Sequence, residues 1–286
     1  MSVAVSRSSA ALATAAAALD GVRARGGVSV GFKAMPGHGT RLADLHEQGG
    51  FRAKFPRTHG LTEAVLVNTG GGLLGGDAVR FDVTVTDHAA AQVTTQSAER
   101  VYKSLGPDCR VDIRLAVGAG GRLHWLPQET ILFNEARLAR TISADLAADA
   151  TLLLVEATVF GRAAMAETTA AGVLRDNWRI CRAGHLVYAD AVNLSGAIDG
   201  QLHRNAIGAG ASAMASIVYL APDASDRIDG ARAALAGQAA RAAVSAWNGM
   251  LVARLLAPSA DALKADVVRL AGYLSGHELP RVWGLI

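Results

Sequence analysis

Cysteine is scarce in this chain: Cys109 and Cys181 are the only two among 286 residues. Two thiols make neither a disulfide framework nor a cysteine-rich zinc site, and so low a count fits a reducing, cytoplasmic setting. Aromatic side chains are also few, with six Phe, four Tyr and four Trp, which leaves little to line a sugar-binding groove. Long hydrophobic runs are missing. The longest, the alanine-rich stretch at 10–19, falls well short of the ~20 residues of a membrane-spanning helix. Neither sign of charge dominates, since 28 basic residues face 25 acidic ones and no basic run occurs, which argues against a nucleic-acid partner. Eight histidines are scattered without an H-x-H or H-E-x-x-H pair, so each reads as a turn or surface residue rather than a ligand. Ser195 lies in Leu-Ser-Gly rather than G-x-S-x-G, so no nucleophile elbow is present.

What the chain does have is a hydrophobic fraction of 51%, enough for a sizeable core and against general disorder. Residues 1–20 form an alanine-rich stretch that only weakly imitates a signal peptide and is closed by Asp20-Gly21. They are expected to be a variable, mobile arm. Residues 21–286 are expected to form one domain, β-rich over 21–215 and mixed α/β over 216–286.

The β-rich part repeats itself. Val79, Phe81, Val83 and Val85 alternate with polar residues, then a small-residue turn and a second short strand around Val93 follow. Val111, Ile113, Leu115 and Val117 repeat the pattern, with Leu123 and Trp125 after the turn. Ile142 leads to Leu152 and Leu154, and a looser copy runs from Trp178 and Ile180 through a turn at 182–184 to Leu186 and Tyr188. Alternation marks half-buried strands. The anchors Val93, Leu123, Leu152 and Leu186 recur every 29–34 residues, a period typical of stacked units too small to bury their own apolar face. The fold class predicted is mainly β, a β-helix-like stack of strands, with an ordinary β-sandwich as the alternative. A smaller helix-containing section follows. Strands are predicted at 216–220, a helix at 226–236, a strand or buried helix at 251–256, and a helix over 261–274 capped by Ser259 and stopped by Gly276.

The block Asn68-Thr69-Gly70-Gly71-Gly72-Leu73-Leu74-Gly75-Gly76-Asp77 satisfies G-x-G-x-x-G literally. That fingerprint needs a helix starting at the glycines to hold a pyrophosphate, and here an alternating strand pattern follows instead. The glycines suit a tightly turned backbone between strands. Acidic and amide residues mark other strand ends: Gln96, Glu99, Gln128, Glu129, Glu156 and Glu167. In a stacked fold such positions fall in columns, and their oxygens suit weakly held, hydrated divalent ions, a glycosidase-type carboxylate pair, or simply a solvated edge.

Five ordered blocks resemble one family. The glycine block, Thr94-Thr95-Gln96-Ser97-Ala98 with Val101-Tyr102-Lys103-Ser104, Trp125-Leu126-Pro127-Gln128-Glu129-Thr130-Ile131-Leu132-Phe133, Gly161-Arg162 with Met165-Ala166-Glu167, and Leu279-Pro280-Arg281-Val282-Trp283 are similar to those of UreD (UreH) urease accessory proteins. The match runs from about residue 21 to the C-terminus, with departures at Gly72 and Leu74. The resemblance implies a β-helix-like fold and a non-enzymatic, cytoplasmic maturation factor. Such a factor binds urease apoprotein, recruits accessory proteins F and G (the latter a GTPase), and helps insert nickel, in transit through an internal channel and never tightly bound. It makes Glu129 and Glu167 the first candidates for channel lining and Gln96 and Glu156 the next. The absence of a His/Cys cage agrees with transfer rather than storage. The alternative from another class is a β-helical carbohydrate-active enzyme using a carboxylate pair.

Overall fold

The computed structural model describes residues 23–284 apart from 163, 164 and 166; the arm expected at 1–20 lies outside them. The chain winds as stacked coils. Each coil lays one strand in a seven-stranded sheet, turns a corner, and lays the next in a ten-stranded sheet. In the first sheet β1 (Arg25–Met35), β5 (Ala78–Val85), β8 (Cys109–Val117), β11 (Arg137–Leu146) and β13 (Gly172–Arg182) run parallel. Val83 lies beside Leu115, Leu115 beside Ala144, and Ala144 beside Ile180. In the second, β4 (Thr62–Asn68), β6 (Ala90–Thr95), β9 (Arg122–Leu126) and the first half of β12 (Thr151–Phe160) do the same. Short strands β7 (Glu99–Val101) and β10 (Thr130–Leu132) continue the coils and stack on the second half of β12. The sequence-level reading of stacked strands is therefore met.

The repeat differs from the sequence reading in two details. Leu123 and Leu152 are true partners, but Leu123 meets Ala91 on its other side while Val93 meets Trp125. A two-residue offset keeps every side chain on the same face, so the pattern survives it. Leu186 does not continue the column. It lies on β14 (His185–Gly196), which folds back antiparallel on β13, and its side chain is exposed. The cause is local: Ala183 and Gly184 both have positive φ, 50° and 78°, the two-residue turn that reverses a strand in its own sheet. The corners at 86–89, 118–121 and 147–150 lack this pair and pass to the opposite sheet.

Hairpins close both ends of the stack. At the beginning, β2 (Gly39–Gln48) pairs with β1 and β3 (Phe51–Lys54) with β4. At the far end of the ten-stranded sheet, β15 (Ala213–Leu220), β17 (Met250–Ala257) and β16 (Arg241–Trp247) continue antiparallel from β12, so the segment at 251–256 is a strand. After β14 comes a short helix α1 (Ile198–Leu202), and after β15 the helix α2 (Ile228–Leu235). Helix α3 (Ala260–Ser275) starts where Ser259 Oγ accepts from the Ala262 N–H and ends at Gly276, φ 63°. Among the described residues no helix is long and apolar enough to cross a membrane.

Two cores result. Inward residues of both sheets, such as Phe32, Val83, Leu115, Ile142, Leu152 and Ile180, fill the first. Strand β12 is buried on both faces: Leu152 and Leu154 point inward, while Leu153 and Val155 meet the face of α3 formed by Leu263, Val267, Leu270 and Leu274. Each of these larger side chains contributes roughly 1.5–3 kcal/mol through burial.

The glycine block forms the corner between β4 and β5, and the element after Asp77 is a strand, as the sequence pattern requires. The corner lies directly against the next coil: the Leu73 N–H donates to Arg100 O and the Tyr102 N–H to Leu73 O. A Cβ on Gly75 would sit 1.9 Å from Ser104 Oγ and 2.6 Å from Pro107 O. Gly75→Ala is expected to lower stability in urea denaturation by about 1–3 kcal/mol, the range for overpacking. Gly272, inside α3 with no atom within 4 Å of an added Cβ, is expected to gain up to about 1 kcal/mol as Gly272→Ala. Equal effects at the two sites would contradict this packing.

Candidate functional site

Three adjoining cavities run between the sheets. The first, about 60 Å³, opens beside the glycine block and is lined by Asn68, Gly71, Gly72, Phe81, Thr95, Gln96, Glu99 and Arg100, among others. The second, about 50 Å³, shares Phe81, Thr95 and Glu99 with it and extends past Trp125, Gln128 and Thr130 to Arg140 and Glu156. The third, about 10 Å³, shares Arg140 and Glu156 with the second and continues to Asp176, Asp190, Met214 and Ser216. The first two hold a few waters or a partly hydrated ion, and the third about one water. They leave no room for a sugar ring, which needs a pocket several times larger.

The boundary between the last two cavities is a buried charge knot. Arg140 on β11 donates to Asp176 on β13 through Nε (3.0 Å) and Nη2 (2.5 Å), and through Nη1 to Glu156 on β12. The Trp125 indole N–H donates to Glu156 (2.9 Å) and the Trp178 indole N–H to Asp176 (2.9 Å). All three charged side chains are 5% exposed or less. Burial lifts the Glu156 carboxyl above its ordinary range, and Arg140 opposes that only in part. Burial alone would lower the Arg140 pKa, but the carboxylates of Asp176 and Glu156 outweigh it and raise the value. With one cation and two carboxylates, the knot carries a net negative charge when all three are ionised.

Nearer the mouth, Glu99 is held by the Asn68 amide at 3.1 Å to both oxygens, and burial raises its carboxyl pKa. Gln128 is buried; its Oε1 accepts from Lys264 Nζ (2.9 Å) while its Nε2 has no partner.

The structure therefore divides the four residues singled out in the sequence. Gln96, exposed at the mouth, and Glu156, in the knot, belong to the line of cavities. Glu129 faces the other side of the sheet, beneath α3, in a separate space of about 10 Å³ with Lys264 and Trp283. Glu167 accepts from Arg162 Nε (2.9 Å) and the Asn134 N–H (2.8 Å), partners that hold its carboxyl pKa below the usual value. It stabilises a loop at the coil corner and lines none of the three cavities.

Sequence reasoning missed Arg140 and Asp176. Their signal was parity: Arg140 falls in step with buried Leu138, Ile142 and Ala144, and Asp176 with Leu174, Trp178 and Ile180. A charge on the apolar side of a strand demands a buried partner. One histidine also departs from expectation. His124 is fully buried, with Nδ1 facing Ser275 Oγ at 3.3 Å, and burial beside Arg122 and His277 pushes it down to about 3. Among the described residues, no three His, Cys, Asp or Glu side chains are arranged to hold a metal ion.

Arg140→Met leaves two carboxylates in the core without their cation, an expected loss of about 3–5 kcal/mol near neutral pH. Glu156 already has a raised pKa, which means the folded chain takes up its proton more readily than the unfolded chain. That penalty is absent at low pH and grows as the pH rises. Without Arg140 the shift grows further, so the deficit of the variant against wild type is expected to be smaller at about pH 5.5 than at about pH 8 in urea denaturation. An equal deficit at both would contradict the ionised knot.

Comparison with known proteins gives one answer. The family model described as UreD urease accessory protein matches residues 24–284. A urease accessory protein UreD of Azorhizobium caulinodans is 44% identical over 264 residues, 92% of this chain and 97% of that relative. One from Methylobacterium sp. (strain 4-46) is 46% identical over 267 residues, 91% of this chain and 95% of the relative. The urease accessory protein UreD 3 of Methylorubrum extorquens is 48% identical over 248 residues, covering 85% and 83%. With family match and relatives both spanning nearly the whole chain, it belongs to the UreD family of urease accessory proteins.

Proposed function

We propose that this chain is a non-catalytic urease maturation factor. It acts in the cytoplasm, binds urease apoprotein together with accessory proteins F and G, and passes nickel through the line of cavities without keeping it. The observation that carries this reading is the sequence of three spaces sharing walls from the glycine corner to the negatively charged knot. A conduit for a divalent cation needs sites attractive enough to enter and weak enough to leave. Glu99 and Glu156 supply oxygen atoms one or two at a time, which suits a partly hydrated ion in passage.

Arg140 defines the difficult step. A cation moving from the second cavity to the third meets a guanidinium already bound to both carboxylates. It must displace Arg140 from Glu156 or Asp176, so the knot is a closed gate at rest. The carbohydrate-active alternative fares worse, because its two inward carboxylates are tied to one arginine in spaces too small for a glycan.

The test is the nickel content and activity of urease from cells lacking the gene, with and without a plasmid copy. Nickel-poor, inactive urease rescued by the wild-type copy is expected. Glu156→Gln, which leaves Arg140 paired with Asp176, is expected to assemble with its partners yet load severalfold less nickel, whereas Glu129→Ala, on the other side of the sheet, is expected to match wild type. Fully loaded urease in cells without the gene would overturn the maturation reading.

A further inference from the structure

The segment after helix α3 lies as a strap across the outer face of the ten-stranded sheet. The helix ends at Gly276, whose positive φ redirects the chain. At the near end of the strap, Ser275 Oγ meets His124 Nδ1 (3.3 Å), donates to His277 O (3.1 Å) and accepts from the His277 N–H (3.2 Å). The His277 ring in turn meets Arg122, with Nε2 3.3 Å from Nη1. At the far end the Trp283 indole N–H donates to Leu126 O and Thr94 Oγ1, while Leu279 and Val282 pack against the second core.

The bed beneath the strap is polar where the rest of that face is apolar. Glu63 on β4, Gln92 on β6 and His124 on β9 stand side by side in one cross-strand row, which continues into Leu153 on β12. All three polar side chains are 3% exposed or less. Gln92 Nε2 donates to Glu63 (2.8 Å), but Gln92 Oε1 and His124 Nε2 have no partner. Unpaired buried groups cost free energy that contact with water recovers, so this bed holds its cover less firmly than an apolar one would.

A proton on His124 adds to that cost. It would place a second N–H where no acceptor stands, and a positive charge beside Arg122 of the same strand and His277 of the strap. Gln92, Leu153 and Ser275, from β6, β12 and α3, bring no charge. The other charges of α3 are engaged elsewhere, Lys264 with Gln128 and Asp266 with the Ala240 N–H and Arg269. The carboxylate of the row, Glu63, lies two strands away, where burial raises its pKa against the hydrogen bond from Gln92 and the charge of Arg281 in the strap. Burial, with Arg122 and His277 adding to it, pushes His124 down to about 3, from an ordinary 6.5 that it regains on meeting water. The opened form therefore takes up the proton more readily, and falling pH below about 6.5 favours it.

We propose that residues 276–284 form a proton-released strap: acidification towards pH 5.5 lifts it about Gly276 and bares Thr94, His124 and Leu126 while the two sheets stay folded. The device needs neither an ion nor a partner and stands apart from the nickel reading. It makes part of the outer face of the sheet available only when the surroundings turn acidic.

The test is hydrogen exchange of the full chain by NMR at pH 7.5 and 5.5, with each rate divided by that of an unprotected group at the same pH. The Trp283 indole N–H is expected to be less protected than the backbone N–H groups of β11 and β12, and to ignore low urea concentrations that speed their exchange, because lifting a strap exposes little surface. Between the two pH values its protection is expected to fall about tenfold further in wild type than in His124→Leu, the factor set by a group of ordinary pKa 6.5 over that range. Glu63, which acts in the opposite direction, is common to both chains and cancels. His124→Asn, which also cannot be protonated, repeats the comparison should the leucine variant fail to fold, and His277→Gln is expected to keep most of the wild-type fall. An equal fall in wild type and in the His124 variants would overturn the proposal. So would Trp283 protection equal to that of β11 and β12, since the strap would then open only with the whole fold.

Discussion

The interior of this protein is organised around a charge that cannot be left alone. Arg140 sits between the two sheets with almost no access to water, and an unpaired guanidinium there would cost several kcal/mol. Three strands of two successive coils answer it: β11 supplies the arginine, β12 the Glu156 carboxylate, and β13 the Asp176 carboxylate. Two tryptophans then add one further hydrogen bond to each carboxylate. The knot fixes the register of adjacent coils, because a one-residue slip of any strand would turn its charged side chain to the opposite face. It also leaves imperfectly filled space on both sides, since guanidinium, carboxylate and indole do not interlock as aliphatic side chains do. The same feature thus ties the fold together and interrupts its core.

The C-terminal section gives that interrupted core its support. Helix α3 covers the outer face of β12, the strand that carries Glu156 inward, so the strand is clamped between two apolar layers. The C-terminal motif adds to the clamp: the Trp283 indole N–H donates to Leu126 O and Thr94 Oγ1 (3.0 and 3.2 Å). If the knot opens as proposed, the frame around it has to stay fixed while the charged side chains exchange partners. The buried outer face of β12 provides that frame.

Much of the architecture was legible in the sequence because it rests on local rules. Alternation from Val79 to Val85 and from Val111 to Val117 marked strands, Ser259 and Gly276 bounded a helix, and the strand after the glycine block ruled out a nucleotide site. The turn back at Ala183-Gly184 was hidden, because nothing in an alanine announces a positive φ. The site was only half legible. Gln96 stands just past the end of β6 and Glu156 in the middle of β12, both on the cavities, whereas Glu129, one residue beyond Gln128, lines the space under α3. Motif identity points to both members of such a pair, and only the pleat decides which looks inward. Arg140 and Asp176 belong to no motif block and are visible only as charges at apolar parity.

The proposed nickel route requires a divalent cation to reach the knot from the mouth at the glycine corner. The chain holds four tryptophans: Trp125 and Trp178 donate their indole N–H to the knot carboxylates, Trp283 lies across the sheet on Leu126 O, and Trp247 ends β16. The most direct measurement is the NMR spectrum of the indole N–H groups while nickel, a paramagnetic ion, is added. The proposed route requires the signals of Trp125 and Trp178 to broaden or shift at nickel concentrations that leave Trp247 unchanged. Response of Trp247 alone, or of no indole at saturating nickel, would contradict it.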